Sequence, residues 1–365
     1  MKALVNGVAV SVETAAEEAA RLLTRSRQPI FAGLATDIAG ARATVALAEK
    51  LRGAYDHIHS ETVFRDLDVM RQAGLMITTP NEARLRADVL LFVGPKLTDA
   101  WPDMLERLDL ASAAKCDTAQ APRMKIWLGP GRKDPVEASS LVFAATAAGL
   151  PNVVAALRAL VAGKKIRMAD AAQTKLTEIA KHLWAARFGV VVWSAGSIDS
   201  LVIEMLYGLI DDLNQTTRFS GLPLAASMNA MGVLQTSGWM TGFPMRTGFG
   251  RGYPEHDVWR FESNRMIESG EADAAVWISS YESGAPVWKR RVPLVALATP
   301  KTRFPYPPDV LIEVGAPGID HDGVEYVADT GTLVMVEAKQ RSDAPRIDQM
   351  IGLIDSYIEN GDYAC

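Results

Sequence analysis

The sequence predicts an α/β protein built on doubly wound, mostly parallel sheets, and three observations carry that expectation. The first is a series of short apolar runs that do not alternate: IFAGLA (30–35), ADVLLFVG (87–94), MKIWLGP (124–130), GVVVWSAG (189–196), ADAAVWIS (272–279), VPLVALA (292–298) and PDVLIEVG (308–315). Runs apolar at every position suit strands covered on both faces. The second is helical periodicity between several of them. Ile38, Ala41, Val45, Ala48 and Leu51 share one side of 36–52, and 172–186 and 197–213 read as helices as well. The third is punctuation, since several runs close on a glycine before the next helix starts. Alternating strand and helix of this kind makes a parallel sheet with helices on both faces.

Before the first run, KALV and VAV flank Asn6-Gly7, a strong local hairpin signal. Ser11 fits a helix N-cap, followed by Val12, Ala15, Ala16, Ala19, Leu22 and Leu23 at helical spacing. Glu13, Glu17 and Glu18 come early and Arg21 and Arg25 late, which suits the helix dipole. Two smaller sheets are expected rather than one wide one. Residues 214–262 break the rhythm with Gly, Met, Pro, Thr and Trp and no clear period, and irregular segments of that length are usually functional or interfacial.

Composition narrows the classes. With 48% hydrophobic and 22% charged residues, the 365-residue chain has ample material for a packed core. A net charge of −5 argues against nucleic acid as a partner. The two cysteines, Cys116 and Cys365, make no disulfide framework and no Cys-x-x-Cys pair. No signal-peptide core and no apolar run of membrane-spanning length is present, so a cytoplasmic protein without membrane contact is expected.

Several clusters could carry chemistry. In Ser237–His256 the glycines allow close backbone approach, and Arg246, Arg251 and His256 could meet an anion or a pterin-like ring. The plainer alternative, which the residues alone favour, is a rigid loop between domains. Asp56-His57-Ile58-His59 sets two imidazoles at i, i+2 on one face, as metal ligands require. No third ligand is suggested, so structural histidines are favoured. Gly129-Pro130-Gly131-Arg132-Lys133 follows a strand and could cradle a phosphate, but matches no phosphate-loop pattern and reads first as a solvated turn. Cys116 lacks a base beside it, and Asp320-His321-Asp322-Gly323 reads first as a polar turn. No G-x-S-x-G elbow occurs. No catalytic constellation stands out.

The order of segments is distinctive. PIFAG…ARATVALAEKLRGAYDHIHS and PNEARLRADVLLFVGPKLTDAWPDML resemble the first half of the B subunit of formylmethanofuran dehydrogenase. TSGWMTGFPMRTGFGRGYPEH, SGEADAAVWISSYE and PPDVLIEVGAPGIDHDGVEYVADTG resemble its second half. The block GFP-x-R-x-G-F-x-RGYP is the most specific part. The resemblance implies two Rossmann-like doubly wound domains of the formate dehydrogenase/molybdopterin oxidoreductase type. It divides the chain into an N-terminal hairpin and helix (1–27), a discontinuous α/β domain (28–78 plus 264–365) and an inserted α/β domain (79–263).

Two departures from the family pattern shape the functional expectation. Dehydrogenase members open with a cysteine cluster for a [4Fe–4S] centre, and no cysteine here precedes Cys116, so the iron–sulfur domain is expected to be lacking. Their metal-ligating Cys-His pair falls at Thr62-Val63, whose side chains cannot replace a soft thiolate at tungsten or molybdenum. The family's arginine is retained as Arg251. The resemblance therefore implies no cofactor, no metal and no catalytic residue. Thr62, Val63, Arg246, Arg251 and His256 would remain as a vestigial pocket. The chain is similar to the beta subunit of the formyltransferase/hydrolase complex of methylotrophic one-carbon metabolism. That complex moves a formyl group from tetrahydromethanopterin to the furan coenzyme methylofuran and releases formate. The implied partners are an amidohydrolase-like hydrolase subunit, a formyltransferase subunit and a C-type subunit, with contact to methylofuran open. One alternative is an active tungsten or molybdenum dehydrogenase subunit. Another is a thiamine-diphosphate enzyme, whose central domain PIFAGLATDIAGARATVALAEKL also resembles, although the G-D-G motif is missing.

Overall fold

The structure is a computed structural model that describes residues 2–109, 112–114, 122–281 and 284–360. The chain forms two compact units, Met1–Ser60 with Ser227–Tyr326 and Leu333–Cys365, and Glu61–Ala226 with Val327–Thr332. Both are mixed α/β with parallel sheets, as the apolar runs predict.

The first unit is organised on a nine-stranded sheet. Its centre is parallel: Ala54–Tyr55, Pro29–Ala35, Ala274–Ser279, Leu294–Ala298 and Val310–Glu313 lie side by side in that order. Antiparallel strands finish both edges. Ala3–Val5 pairs with Val310–Glu313 and carries Val8–Ala9 outside it, while Thr247–Gly248 pairs with Ala54–Tyr55 and carries Glu255–His256. The Asn6-Gly7 turn takes the two positive φ values, 49° and 79°, that a tight hairpin needs. Ser11 caps the helix Val12–Thr24 by accepting from Thr14 N, and Asp37 caps Ile38–Lys50 by accepting from Gly40 N. Helices Val12–Thr24, Ile347–Asn360, Ile38–Lys50 and Ala230–Thr241 pack one against the next. A separate hairpin, Gly323–Val327 with Thr332–Val336, makes a two-stranded sheet.

The second unit holds a five-stranded, wholly parallel sheet in the order Leu141–Phe143, Met124–Leu128, Val89–Val93, Gly189–Trp193, Phe219–Pro223. Its strands are apolar throughout because both faces are covered. Leu91 and Val93 pack into the core beneath Leu150–Val161, Asp170–Ala185 and Ser200–Asn214, whereas Leu90 and Phe92 join Trp127, Val190 and Val192 on the other face.

The unit boundaries differ from the expected cuts at 78/79 and 263/264. Helix Ser60–Ala73 is tied to the second sheet from Glu61 onward: Trp193 Nε1 donates to Asp66 Oδ1 (2.8 Å) and Arg65 Nη1 donates to Ala195 O (3.0 Å). Residues 227–263 belong to the first unit because Thr247–Gly248 and Glu255–His256 finish its sheet. Residues 1–27 are not a separate body either, since Ala3 is registered against Ile312. Among the described residues, no helix is long and apolar enough to cross a membrane.

Candidate functional site

Open parallel sheets bind ligands at the carboxyl ends of their strands, where the strand order reverses. In the first unit that reversal lies between Pro29–Ala35, whose next parallel strand is on one side, and Ala274–Ser279, whose next is on the other. A bulge sits at that point. Gly33 and Leu34 take φ of 77° and 48°, and the register with the neighbouring strand shifts between Trp277 and Ser279. A side chain on Gly33 would place its Cβ 2.6 Å from Ile278 O, so only glycine fits.

Asp37 follows the first of these strands and Tyr281 follows the second, and the hairpin brings Glu325. Burial pushes the Glu325 carboxyl up, and the Asp37 charge adds to this. Burial, then Glu325, raises the Tyr281 hydroxyl. Tyr281 and Glu325 interact side chain to side chain, and among the described residues His321 Nε2 is buried with no hydrogen-bond partner. Neither Tyr281 nor Glu325 carries a sequence motif. The only signal available was position, Tyr281 standing two residues after an apolar run.

The expected metal pair is used up internally. His57 Nδ1 accepts from His59 N (3.0 Å), so Nε2 carries the proton and donates to Met228 O (3.0 Å). Burial holds the His57 pKa down to about 3. His59 Nε2 instead meets Ser227 Oγ at 3.0 Å. Met228 and Asn229 both take φ of 56°, and that turn is fixed by the His57 contact and by Asn229, which donates to Thr36 O and accepts from Tyr326 N.

The aromatic–glycine block divides by arginine. Arg246 is buried (7% exposed), with Nε 3.3 Å from Asp56 Oδ1 and Nη1 donating to Val258 O. Burial raises the Asp56 carboxyl, while Arg246 pulls it back down. His256 Nδ1 donates to Arg246 O (2.9 Å) and its ring stacks on Phe243. Arg251 is 63% exposed and pairs with Glu255 at 3.2 Å, so it is not shut into a pocket.

In the second unit the strand order reverses between Val89–Val93 and Gly189–Trp193. Gly94 and the loop Ser194–Ser197 flank that point, and Thr62 lies beside Gly196: a Cβ there would sit 3.8 Å from Thr62 Cγ2. Val63 is buried. A hydroxyl and an isopropyl group supply no soft donor, so these residues do not fit tungsten or molybdenum. The Gly129–Lys133 turn is no phosphate cradle, because Asp134 Oδ2 already accepts from Gly131 N (2.6 Å) and Lys96 N (2.9 Å), leaving Arg132 and Lys133 in solvent. Asp320 and Asp322 hold the turn, Asp320 accepting from Ala316 N and Asp322 from Ala338 N and Arg341. Cys116 and Cys365 lie outside the described residues. Among the described residues, no group of three or more His, Cys, Asp or Glu side chains is placed to hold a metal ion.

No family model matches the sequence. The chain is 35% identical over 347 residues to the B subunit of the formyltransferase/hydrolase complex Fhc of Methylorubrum extorquens, covering 94% of this chain and 93% of that protein. It is 26% identical over 354 residues to the B subunit of tungsten-containing formylmethanofuran dehydrogenase 2 of Methanococcus maripaludis, covering 92% and 80%. The Methanocaldococcus jannaschii protein of that name is 26% identical over 342 residues, covering 88% and 77%. A chain in the crystal structure of the M. extorquens FhcABCD complex with methylofuran superposes with a TM-score of 0.88 at 35% identity, covering 98% of this chain and 99% of that one. The chain belongs to the family of B subunits of the formyltransferase/hydrolase complex, which are related to the B subunits of formylmethanofuran dehydrogenases.

Proposed function

We propose that the chain is the B subunit of a cytoplasmic formyltransferase/hydrolase complex, a structural member that performs no redox chemistry. The observation that carries this reading is the near-full-length likeness to the B subunit found in FhcABCD. The donor chemistry supports it: Thr62 and Val63 stand where a dehydrogenase needs a thiolate, and two cysteines in 365 residues are too few for a four-thiolate cluster. On this reading each unit is a Rossmann-like domain of the molybdopterin oxidoreductase type that has kept its scaffold and lost its metal. The hydrolase, formyltransferase and C-type subunits then carry formyl transfer from tetrahydromethanopterin to methylofuran and its hydrolysis to formate. The likeness runs the length of the chain, which leaves the thiamine-diphosphate alternative without support.

Co-expression tests the proposal. With all four subunits, a complex containing this chain should form and release formate from formyl-methylofuran. Omitting this chain should lower the yield of assembled complex, with the hydrolase subunit keeping its own metal. A hydrolase and formyltransferase pair that assembles and turns over fully without this chain would refute the role.

A further inference from the structure

Strand Gly323–Val327 pairs with Thr332–Val336 in a two-stranded sheet apart from the nine-stranded one. Alternate residues of a strand face one way, and here Gly323 is buried, Val324 is exposed and Glu325 Oε1 is buried, so Gly323 and Glu325 share the inward face. A Cβ on Gly323 would lie 2.8 Å from Pro317 Cβ and 3.2 Å from Asp37 Oδ2, so the backbone rests directly on that carboxylate. Further along, Tyr326 N donates to Asn229 Oδ1 (2.8 Å). Asp37 and Tyr281 each stand two residues past a central strand, Pro29–Ala35 and Ala274–Ser279. The inner strand of the hairpin is therefore seated at the carboxyl ends of the two strands where the strand order reverses.

The charges around this seat are unequal. Asp37 uses Oδ1 to cap its helix, accepting from Gly40 N (2.9 Å), and turns Oδ2 toward Gly323. Arg346 acts on Asp37 but binds Asp348 through Nε and Nη2 (3.0 and 2.8 Å). Asp322 pairs with Arg341, and His321 acts on Glu325 while its Nδ1 meets Asp322 O (2.9 Å). An ionised Glu325 thus adds a second carboxylate to a buried space that already holds Asp37. Burial pushes the Glu325 carboxyl up, Tyr281 pulls it down, and Asp37 pushes it up again. We propose that the seat is proton-controlled: strand Gly323–Tyr326 lies tight on the strand ends while Glu325 is neutral, and loosens to uncover Asp37 and Tyr281 when Glu325 ionises. Because the folded carboxyl titrates above the ordinary 4.5, the seat is tightest below 4.5 and slackens as pH rises through the folded value. The device lies within this chain, and its test is independent of the subunit role.

Hydrogen exchange of the full-length protein tests it, read by mass spectrometry on peptides covering 323–327 and referred at each pH to the denatured chain. The Tyr326 amide is the reporter, since its bond to Asn229 breaks when the seat opens. Its protection should fall several-fold from mildly acid to mildly alkaline pH, while the buried strand Val89–Val93 keeps its own. Glu325→Gln should hold the acid level of protection throughout. Asp37→Asn keeps a capping oxygen for Gly40 N and removes the opposing charge, so it should move the fall to lower pH. Protection that does not change with pH in the wild type, or a fall that persists in Glu325→Gln, would overturn the proposal. So would an Asp37→Asn profile that superposes on the wild type, because Asp37 would then not be the charge that Glu325 meets.

Discussion

Two arginines in the same block have opposite duties. Arg246 is buried against Asp56, and removing it leaves a carboxylate uncompensated in the interior, so Arg246→Ala should cost about 3–5 kcal/mol of stability. Arg251 pairs with Glu255 in solvent, so Arg251→Ala should leave stability nearly unchanged. Urea unfolding of both variants checks the pair, and a larger loss at Arg251 would contradict the geometry. His57 adds a pH signature. Its folded pKa, about 3, lies below the ordinary 6.5, so the unfolded chain binds the extra proton first. Stability from His57 is therefore complete above 6.5 and is lost as pH falls toward 3. Its ring resonances should titrate far into the acid range, and an NMR midpoint near 6.5 would overturn the burial argument. The sequence singled out Arg246, Arg251, His57 and His256 by type. It could not say which would be buried, because Arg246 meets its carboxylate 190 positions away and His57 meets Met228 171 away.

At the scale of elements, most strands covered on both faces were legible, whereas Phe219–Pro223, inside the irregular 214–262, was not. All seven apolar runs became strands, because burial on two sides leaves no polar position to interrupt the pattern. The two-residue strands Thr247–Gly248 and Glu255–His256 had no period to read. Helix Ala230–Thr241 was hidden for another reason: its buried side is Ala230, Gly232, Val233, Thr236 and Ser237, small residues in place of an apolar stripe. The Tyr281–Glu325 pair was invisible because its members come from separate elements and no motif marks either of them. The bulge at Gly33 gives a sharp test. Gly33→Ala forces a side chain into φ of 77° and against Ile278 O, and should destabilise by about 1–3 kcal/mol or more. A neutral effect in thermal unfolding would mean that the strand end relaxes freely. Asp66, on the helix docked to the second sheet, has its carboxyl raised by burial from 3.8 to about 6. Its contribution is present below 3.8 and is lost as pH rises through 6. Asp66→Asn keeps the acceptor for Trp193 Nε1 and removes that charge, so it should flatten this limb of the stability profile. An unchanged profile would show that Asp66 titrates normally.

On the proposed reading, the whole molecule is a redox-enzyme scaffold without the donors that redox chemistry needs, used as a subunit. Trp239, Phe243, Tyr253 and Trp259 all stand exposed, a poor surface for a solitary chain. Expressed alone, the chain should aggregate, and co-expression with the hydrolase subunit should rescue it; light scattering that finds a stable monodisperse monomer would weigh against obligate assembly. The most direct test is elemental analysis of the natively purified complex with every subunit quantified. The expected result is this chain together with hydrolase and formyltransferase subunits, and tungsten and molybdenum far below one atom per copy of it. One tungsten or molybdenum per copy of this chain would contradict a scaffold that has lost its metal.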